Sequence, residues 1–397
     1  MNIARFTFLL HILMVMPAFT QHVIMVVIDG ARFTETLGSQ ATYIPNMWNT
    51  LKPQGTIYTN FYNNGSTRSL PGHAAILTGN WEDLANDGSE RPNNPTIFEY
   101  NRHQTASMVS DNYVLGGATK FNALTYSNHF DYGAVFGASS NTNSYEGDLA
   151  TYDSLVGIMD MYHPELLLVN FKEVDTKGHS GNFQEYVAAI QQVDSLIFLL
   201  WQKISTDPFY MNNTTLFVTN DHGRHDDDNG GFEGHDDSCG GCRHIMLLTL
   251  GRYILPNQII NDTTEQIDIA PTVAELLSID PVFSAGTSLL PSNVSIQAED
   301  ELNHPSKVSL LGAYPNPFNP STTVGFYLPK EQLVKIDIID IQGHNVIVLQ
   351  NGKKSVGYHE VTWTGKDQRG ETVNTGVYLC RLHTGIDNIT IKLVYMK

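Results

Sequence analysis

From residue 22 to about residue 280, short apolar runs alternate with amphipathic stretches. The runs at 23–28, 165–171 and 215–219 are short and apolar, the first of them largely β-branched, and they show no regular polar alternation. This is typical of strands that are buried on both faces of a parallel sheet. Residues 183–204 repeat apolar side chains at offsets of three and four, which predicts one face of a helix. The strand–helix–strand order predicts an α/β fold with a mostly parallel sheet flanked by helices.

The pattern also divides the chain into segments. Residues 22–285 form the predicted α/β domain, within which residues 81–160 are rich in Asn, Gly, Ser and Tyr and are expected to form a cap-like insertion. Residues 286–307 lack periodicity and are predicted to be a linker. Residues 308–397 alternate apolar and polar positions between turn clusters, which predicts a C-terminal all-β immunoglobulin-like sandwich.

Residues 1–21 combine a basic residue, a short apolar core and a plausible cleavage region, which predicts a secretory signal peptide. A retained hydrophobic N-terminus of a cytosolic protein is the alternative. No other stretch approaches transmembrane length, so no transmembrane segment is expected in the mature chain. The 23 basic and 41 acidic residues give a net charge of −18. This charge argues against nucleic acid as a partner, and an anionic substrate would need local positive charge, which metal ions supply.

Seven candidate site residues combine metal-binding side chains with one hydroxyl. Three of the carboxylates follow predicted strands, and in open α/β sheets ligands gather at that edge. Carboxylate and imidazole donors together suit zinc, and manganese or iron less selectively. The predicted cofactor is therefore a pair of divalent metal ions, zinc, which can hold the attacking and leaving oxygens of a displacement at phosphorus. The candidate metal ligands are Asp29, Asp175, His179, Asp221, His222 and His235, and the candidate nucleophile is Ser69.

Each fragment also has a simpler explanation. Ser69 precedes a predicted helical turn and could merely cap that helix. Asp175 and His179 could belong to a polar loop with a glycine turn. His225 competes with His235 as the sixth ligand, and together with the acidic residues 226–228 it could form a calcium loop or a solvated patch.

The three cysteines suggest different roles. Cys239 and Cys242 form a Cys-Gly-Gly-Cys sequence, for which a structural disulfide is expected in an exported protein. A redox motif would need a preceding strand and a following helix, and a zinc ribbon would need a second cysteine pair. Cys380 lies in a strand-like run and is expected to be buried.

The motifs around Asp29, Ser69, Asp175–His179, Asp221–His222 and residues 267–272 resemble the alkaline phosphatase superfamily, in particular its nucleotide pyrophosphatase/phosphodiesterase-like branch. The resemblance implies a Ser69-centred phospho-enzyme intermediate. It also implies that Asp29, Asp221 and His222 hold the metal that activates Ser69, while Asp175, His179 and His235 hold the other metal.

This chain differs from the enzymes that it resembles in three respects. Many diesterases have Thr at the position of Ser69 and a phosphate-contacting Asn at that of Gly72. Residues 80–165 contain no Lys-x-Arg phosphate clamp, and Lys120 is the only lysine there. His73 stands where sulfatases have Arg, which disfavours a sulfatase.

Residues 308–397 resemble the type A sorting domain of the type IX secretion system, through the segments 314–322, 340–343, 357–363 and 376–378. The resemblance implies a partner, the type IX secretion machinery, and a protein that is secreted from a bacterium or attached to its surface. A fused carbohydrate-binding or adhesion sandwich is the alternative.

Taken together, these features predict a secreted two-metal hydrolase of small phosphate esters, acting as a phosphodiesterase or phosphomonoesterase, with no nucleic acid bound. A sulfatase or phosphonate hydrolase with the same fold is one alternative, and a catalytically inactive surface-binding protein is another.

Overall fold

The structure is a computed structural model that describes residues 21–143, 147–291, 308–314, 316–355, 357–385 and 387–396. In this part of the chain, nine strands form one sheet in the first domain. In chain order they are β1 (His22–Ile28), β2 (Gly55–Tyr62), β3 (Asn112–Gly116), β4 (Ser139–Asn141), β5 (Leu166–Phe171), β6 (Thr214–Thr219), β7 (His244–Gly251), β8 (Gln258–Ile260) and β9 (Thr264–Glu265).

Helices follow or separate these strands. The α-helices are α1 (Ser69–Thr78), α2 (Ile97–Thr105), α3 (Asp148–Tyr162), α4 (Glu173–Gly178), α5 (Phe183–Thr206), α6 (Gly240–Arg243) and α7 (Ile269–Leu276). Short 3₁₀ segments lie at Phe33–Glu35, Leu37–Thr42, Lys52–Gln54, Val109–Asp111, Thr119–Thr125, Gly133–Phe136, Asp227–Asn229 and Gln266–Asp268, and a π-helical turn lies at Met47–Leu51.

The sheet has β1 near its middle, in the order β4-β3-β5-β1-β6-β7-β2-β8, with β9 beside β2. Strands β4, β3, β5, β1 and β6 are parallel, and β7 runs antiparallel to both β6 and β2. Because β5 and β6 flank β1, the loops that follow these three strands meet at one edge of the sheet.

Apolar side chains of β1 alternate between two cores. Ile24, Val26 and Ile28 pack in the core that contains the apolar face of α5, and the odd-numbered residues of β1 pack in the core that contains α1 and α7. Helices therefore cover both faces of the sheet, which explains why the strand sequence lacks polar alternation.

The C-terminal domain consists of two antiparallel sheets around a core of its own. Strands β10, β11 and β14 form one sheet, and β13, β12, β15 and β16 form the other. The predicted fold class, an α/β domain with a mostly parallel sheet flanked by helices and a C-terminal all-β sandwich, is confirmed. The strands are β10 (Ser309–Tyr314), β11 (Thr322–Leu328), β12 (Gln332–Asp340), β13 (Asn345–Lys354), β14 (Gly357–Trp363), β15 (Gly376–His383) and β16 (Asn388–Tyr395).

The segment 81–160, which was expected to form a cap, takes a more integrated place in the fold. Its residues 112–116 form β3, which pairs with β5 inside the sheet. Asn86 from the same segment reaches the edge beside Ser69, where its Oδ1 accepts a hydrogen bond from the N–H of Leu70 at 2.8 Å. The segment therefore contributes one strand to the sheet and also residues at the edge of the sheet beside Ser69.

Two predicted segments fall largely outside the described residues. These are the signal peptide, of which only residue 21 is described, and the linker, of which residues 292–307 are not described. Among the described helices, none combines the length and the apolar character that crossing a bilayer requires.

Candidate active site

Ser69 is the first residue of α1 and its side chain is buried. Its Oγ donates a hydrogen bond to Oδ1 of Asp29, which directly follows β1, at 3.2 Å. The helix is preceded by Arg68 and has no side-chain cap, so Ser69 does not serve as the cap that the simpler explanation assigned to it. The hydroxyl instead faces the carboxyl edge of the central strand.

Asp29, Asp221 and His222 form one group of candidate ligands. One donor atom from each lies within 4.8 Å of the others, and all three residues are buried. The Asp221 carboxylate is fixed by hydrogen bonds from the backbone N–H groups of Gly30, at 3.1 Å, and His222, at 2.8 Å. These contacts join the ends of β1 and β6.

Asp175, His179 and His235 form the second group, and His222 lies between the two groups. Donor atoms of Asp175, His222 and His235 lie within 4.8 Å of one another. Nε2 of His179 lies 3.4 Å from Oδ1 of Asp175 and 3.1 Å from Nε2 of His235. The rings of His222 and His235 stack at 4.1 Å between centroids. All six predicted ligands and Ser69 therefore lie at one edge.

The structure places His235 in the site and His225 outside it. His235 is anchored through Nδ1, which lies 2.9 Å from the Thr67 carbonyl oxygen, so Nε2 is directed toward Asp175. His225 faces Asp237 instead, at 3.2 Å. Asp227, from the run considered for calcium, forms an ion pair with Arg32 at 2.8 Å.

The electrostatics of the site follow from three buried carboxylates. Burial and the charges of Asp221 and Asp175 raise the pKa of Asp29 well above its usual value. Burial opposes ionisation of Asp221 and Asp175 as well, but neighbouring histidines and, for Asp175, the Arg224 guanidinium outweigh it and hold the pKa of each carboxyl far below its usual range. Burial and the nearby His222 lower the pKa of His235 to about 4, which keeps its ring neutral, as metal ligation requires.

Sequence reasoning missed Arg224, which lies beneath the second ligand group and is fully buried. Its Nε donates to the Gly30 carbonyl at 3.0 Å, and its Nη1 donates to the carbonyls of Phe232 and Glu233. Its Nη2 donates to the backbone carbonyl and the side chain of Asp175. One guanidinium therefore ties together the three loops that carry Asp29, Asp175 and His235.

A second missed contact runs behind Asp29. Nδ2 of Asn170, in β5, donates to Oδ2 of Asp29 at 3.2 Å, and Oδ1 of Asn170 lies 3.0 Å from Nε2 of His73. Nδ1 of His73 lies 2.8 Å from the Ser69 carbonyl oxygen. This chain of contacts orients Asp29 relative to the first turn of α1. Asn170 within a predicted apolar strand was the available signal.

The donor set fits a bound cation. Oδ2 of Asp221 and Nε2 of His222 are buried and have no hydrogen-bond partner among the described residues. Buried polar atoms are normally satisfied, so two such atoms side by side indicate that a ligand completes them. A cation at this place also offsets the mutual repulsion of three clustered carboxylates.

Family comparison agrees with this geometry. Residues 46–281, more than half of the chain, match the model of the metalloenzyme superfamily. The chain belongs to this superfamily. Membership implies divalent metal ions, and the residues of this metalloenzyme that fit them are the two groups described above. Residues 318–385 match the FlgD Ig-like domain, which supports the sandwich architecture but is a different model from the predicted sorting domain.

The relatives share only part of the chain. The 2,3-bisphosphoglycerate-independent phosphoglycerate mutase of Ureaplasma urealyticum is 32% identical over 159 residues, covering 36% of this chain and 29% of that protein. The enzyme of the same name from Haloquadratum walsbyi is 29% identical over 144 residues, covering 35% and 26%. The match thus spans less than a third of the length of these relatives.

A solved structure described as a protein in the alkaline phosphatase superfamily from Vibrio parahaemolyticus superposes with a TM-score of 0.51 at 14% identity. The superposition covers 80% of this chain and 77% of that one. At this identity the similarity establishes the fold alone.

Proposed function

We propose that this metalloenzyme hydrolyses phosphoric esters, of the phosphodiesterase or phosphatase type, with Ser69 as the nucleophile. The observation that carries the proposal is the Ser69 hydroxyl, held 3.2 Å from Asp29 and near Oδ2 of Asp221 and Nε2 of His222, which accept or donate no hydrogen bond within the described residues. A hydroxyl is a weak nucleophile at neutral pH unless a base or a metal takes up its proton or stabilises its alkoxide. The site offers a neighbouring carboxylate, Asp29, and the residues that would hold a metal ion.

The six candidate ligands and Ser69 have different roles in the proposed reaction. Asp29, Asp221 and His222 would hold the metal ion nearer Ser69, and Asp175, His179 and His235 would hold the second. The ions, zinc in this proposal, would lower the pKa of the hydroxyl and stabilise the charge on the ester oxygens. Ser69 attacks phosphorus and the ester oxygen leaves with a proton. Water then cleaves the phosphoserine and regenerates the hydroxyl.

Charge near the site supports an anionic substrate in spite of the acidic chain. Besides the metal ions, Lys120 lies at this edge, where Nζ contacts Oδ1 of Asn86 at 3.3 Å and its charge acts on Asp29. Asn86 in turn holds the N–H of Leu70 in the first turn of α1. We infer that Lys120 and this turn face the phosphate group.

Transfer of the phosphoryl group to a second hydroxyl, rather than to water, is the alternative that the sequence match to phosphoglycerate mutases favours. The two reactions share the phosphoserine and differ only in the acceptor. Adding a small alcohol to the assay separates them, because a transferase forms the phosphorylated alcohol in preference to inorganic phosphate.

We further propose that the protein is exported and sorted by its C-terminal domain. The motifs within residues 308–397 and the immunoglobulin-like architecture of that region support this proposal.

The test of the nucleophile is Ser69→Ala. We expect turnover of 4-nitrophenyl phosphate or bis-4-nitrophenyl phosphate to fall on the order of a thousandfold or more, because the alanine cannot form the covalent intermediate. Metal content, measured by mass spectrometry of the purified protein, should be unchanged, since Ser69 is not one of the six ligands.

Ser66→Ala is the matched control, because Ser66 lies in the same segment and its Oγ accepts a hydrogen bond from Nε of Arg68 rather than facing Asp29. It should keep near-normal activity. A Ser69→Ala protein with full activity would overturn the assignment. If the protein hydrolyses 4-nitrophenyl sulfate but neither phosphate ester, it is a sulfatase and the proposed phosphoric-ester hydrolase activity is wrong.

A further inference from the structure

A second cluster of metal-binding side chains lies beyond the six candidate ligands. One donor atom each from His225, Asp237 and Cys242 lies within 4.8 Å of the others. Sγ of Cys242 is 3.4 Å from Oδ1 of Asp237 and 3.4 Å from Sγ of Cys239. Nε2 of His225 is 3.2 Å from the same Asp237 oxygen. One sulfur, one nitrogen and one oxygen, from Cys242, His225 and Asp237, thus face a common point, and Sγ of Cys239 lies beside Sγ of Cys242.

Two features indicate that these atoms can bind a ligand. Nε2 of His225 is buried, and although it lies 3.2 Å from Oδ1 of Asp237, it makes no hydrogen bond of good geometry within the described part of the chain. Cys239 and Cys242 are both free, and a separation of 3.4 Å is far longer than the roughly 2.05 Å of a disulfide. The disulfide expected from the sequence is therefore absent from the structure.

We propose that Cys239, Cys242, His225 and Asp237 bind a third metal ion, zinc, separate from the pair at Ser69. Four donors of this kind match the tetrahedral coordination of a structural zinc site, and the two-residue gap between the cysteines is a common spacing in such sites. Thiolates select zinc over the harder cations that carboxylates prefer. On binding, each thiol that becomes a ligand releases its proton to solvent.

The backbone around the cluster is shaped for the site. Gly234 lies against the His225 ring, where a Cβ would stand 2.7 Å from Cε1, so a side chain at this position would displace the imidazole. Asp236 and Ser238, on either side of Asp237, have φ values of 88° and 58°, which are unfavourable for residues other than glycine. Coordination of Asp237 would offset the cost of this conformation.

The location of the site suggests a structural role. His225 lies three residues after His222, and Asp237 lies two residues after His235. In addition, the N–H of Gly223 donates to the Cys242 carbonyl at 2.8 Å. A zinc ion would therefore fasten the two loops that carry His222 and His235 to α6. The proposal stands independently of the reaction catalysed at Ser69.

Cobalt substitution tests the proposal, because a thiolate bound to Co²⁺ gives an intense near-ultraviolet charge-transfer band. The full chain would be purified without reductant or chelator, and its metals exchanged for Co²⁺. The six ligands near Ser69 include no sulfur, so the band reports the third site alone. We expect the band in the wild-type protein, together with two thiols that react with a thiol reagent only after chelation.

Cys242→Ser should abolish the band and remove one metal equivalent per chain. His225→Gln, which keeps both thiols, guards against misfolding of the first variant and should weaken cobalt binding at least tenfold. Cys380→Ala is the control, since Cys380 lies in the C-terminal sandwich, and should leave the band unchanged. A wild-type protein without the band, whose thiols appear only after reduction, would establish a disulfide and overturn the proposal.

Discussion

Gly72 lies in α1 one turn after the nucleophile, directly against the backbone of Asp221. A Cβ at this position would stand 2.4 Å from the Asp221 carbonyl oxygen and 2.8 Å from its carbonyl carbon. Because both atoms belong to the backbone, the helix itself would have to move. The close approach of α1 to the end of β6 thus requires glycine, and a phosphate-binding asparagine cannot occupy this position.

We expect Gly72→Ala to destabilise the α/β domain by about 1–3 kcal/mol, because it overpacks a filled interior. It should also lower activity by moving Ser69 away from Asp221. Gly157→Ala is the matched control: Gly157 also lies in a helix, α3, but apart from the backbone of that helix no atom of the described residues lies within 4 Å of its Cβ position. Alanine there should stabilise by about 0.5–1 kcal/mol. Thermal unfolding and activity of both variants provide the measurement, and equal effects would contradict this account.

At the scale of single residues, the sequence indicated the polar side chains that follow strands but not those that support them. The strand ends pointed to Asp29 and Asp221 because the carboxyl edge of a parallel sheet gathers ligands. Arg224 was missed because most of its partners are backbone carbonyls from distant segments, including Gly30 and Asp175. No local spacing encodes such contacts.

At the scale of elements, short apolar runs predicted β1, β5 and β6, and the helical period predicted α5. The direction of β7 was not predictable in the same way. Its apolar run resembles the parallel strands, yet it runs antiparallel to both β6 and β2. Side-chain pattern reports burial on two faces, whereas strand direction depends on the path of the connecting loops.

Helix α3 shows how one element positions another. Asp148, its first residue, accepts hydrogen bonds from the N–H groups of Lys172, at 2.8 Å, and Glu173, at 3.2 Å. These groups lie where β5 passes into α4, the helix that carries Asp175. Burial raises the pKa of Asp148 to about 7, although the two N–H groups act in the opposite direction.

This shift predicts a pH-dependent stability. The native state holds the Asp148 proton more tightly than the unfolded chain, whose Asp pKa is about 3.9. The stabilising contribution is therefore complete below about pH 4 and is lost as pH rises toward 7. Asp148→Asn mimics the protonated carboxyl and cannot ionise, so its stability does not decrease over this pH range for this reason. We expect its free energy of unfolding relative to wild type to increase by up to about 4 kcal/mol between these pH values.

Urea unfolding of the α/β domain at pH 4.5 and 7.5 checks the prediction. At each pH, the free energy of unfolding of the wild type is subtracted from that of the variant, and the two results are compared. The comparison removes the pH-independent cost of the hydrogen bond to Glu173 that the variant loses. Asp153→Asn, on the exposed side of the same helix, should show no such change. If the difference in unfolding free energy between variant and wild type is the same at both pH values, the pKa of Asp148 is not raised in the native state.

At the scale of the whole molecule, the chain combines two domains with different architectures. The α/β domain buries its apolar residues on both faces of one sheet, whereas the C-terminal domain has a separate cluster that includes Trp363, Phe318 and Tyr395. All of the candidate catalytic residues lie in the first domain. The second domain contributes none of them, which is compatible with a role in sorting.

Deletion of residues 308–397 tests that role. The full chain and the truncated chain would be expressed with their own N-terminal residues in a bacterium that has the type IX secretion system. We expect the full chain at the cell surface or in the medium and the truncated chain in the periplasm. Because the six ligands and Ser69 lie in the other domain, the truncated protein should keep its hydrolase activity, which controls for misfolding. A truncated, active protein that reaches the surface as efficiently as the full chain would exclude a sorting function, and the sandwich would then be better explained as a binding domain.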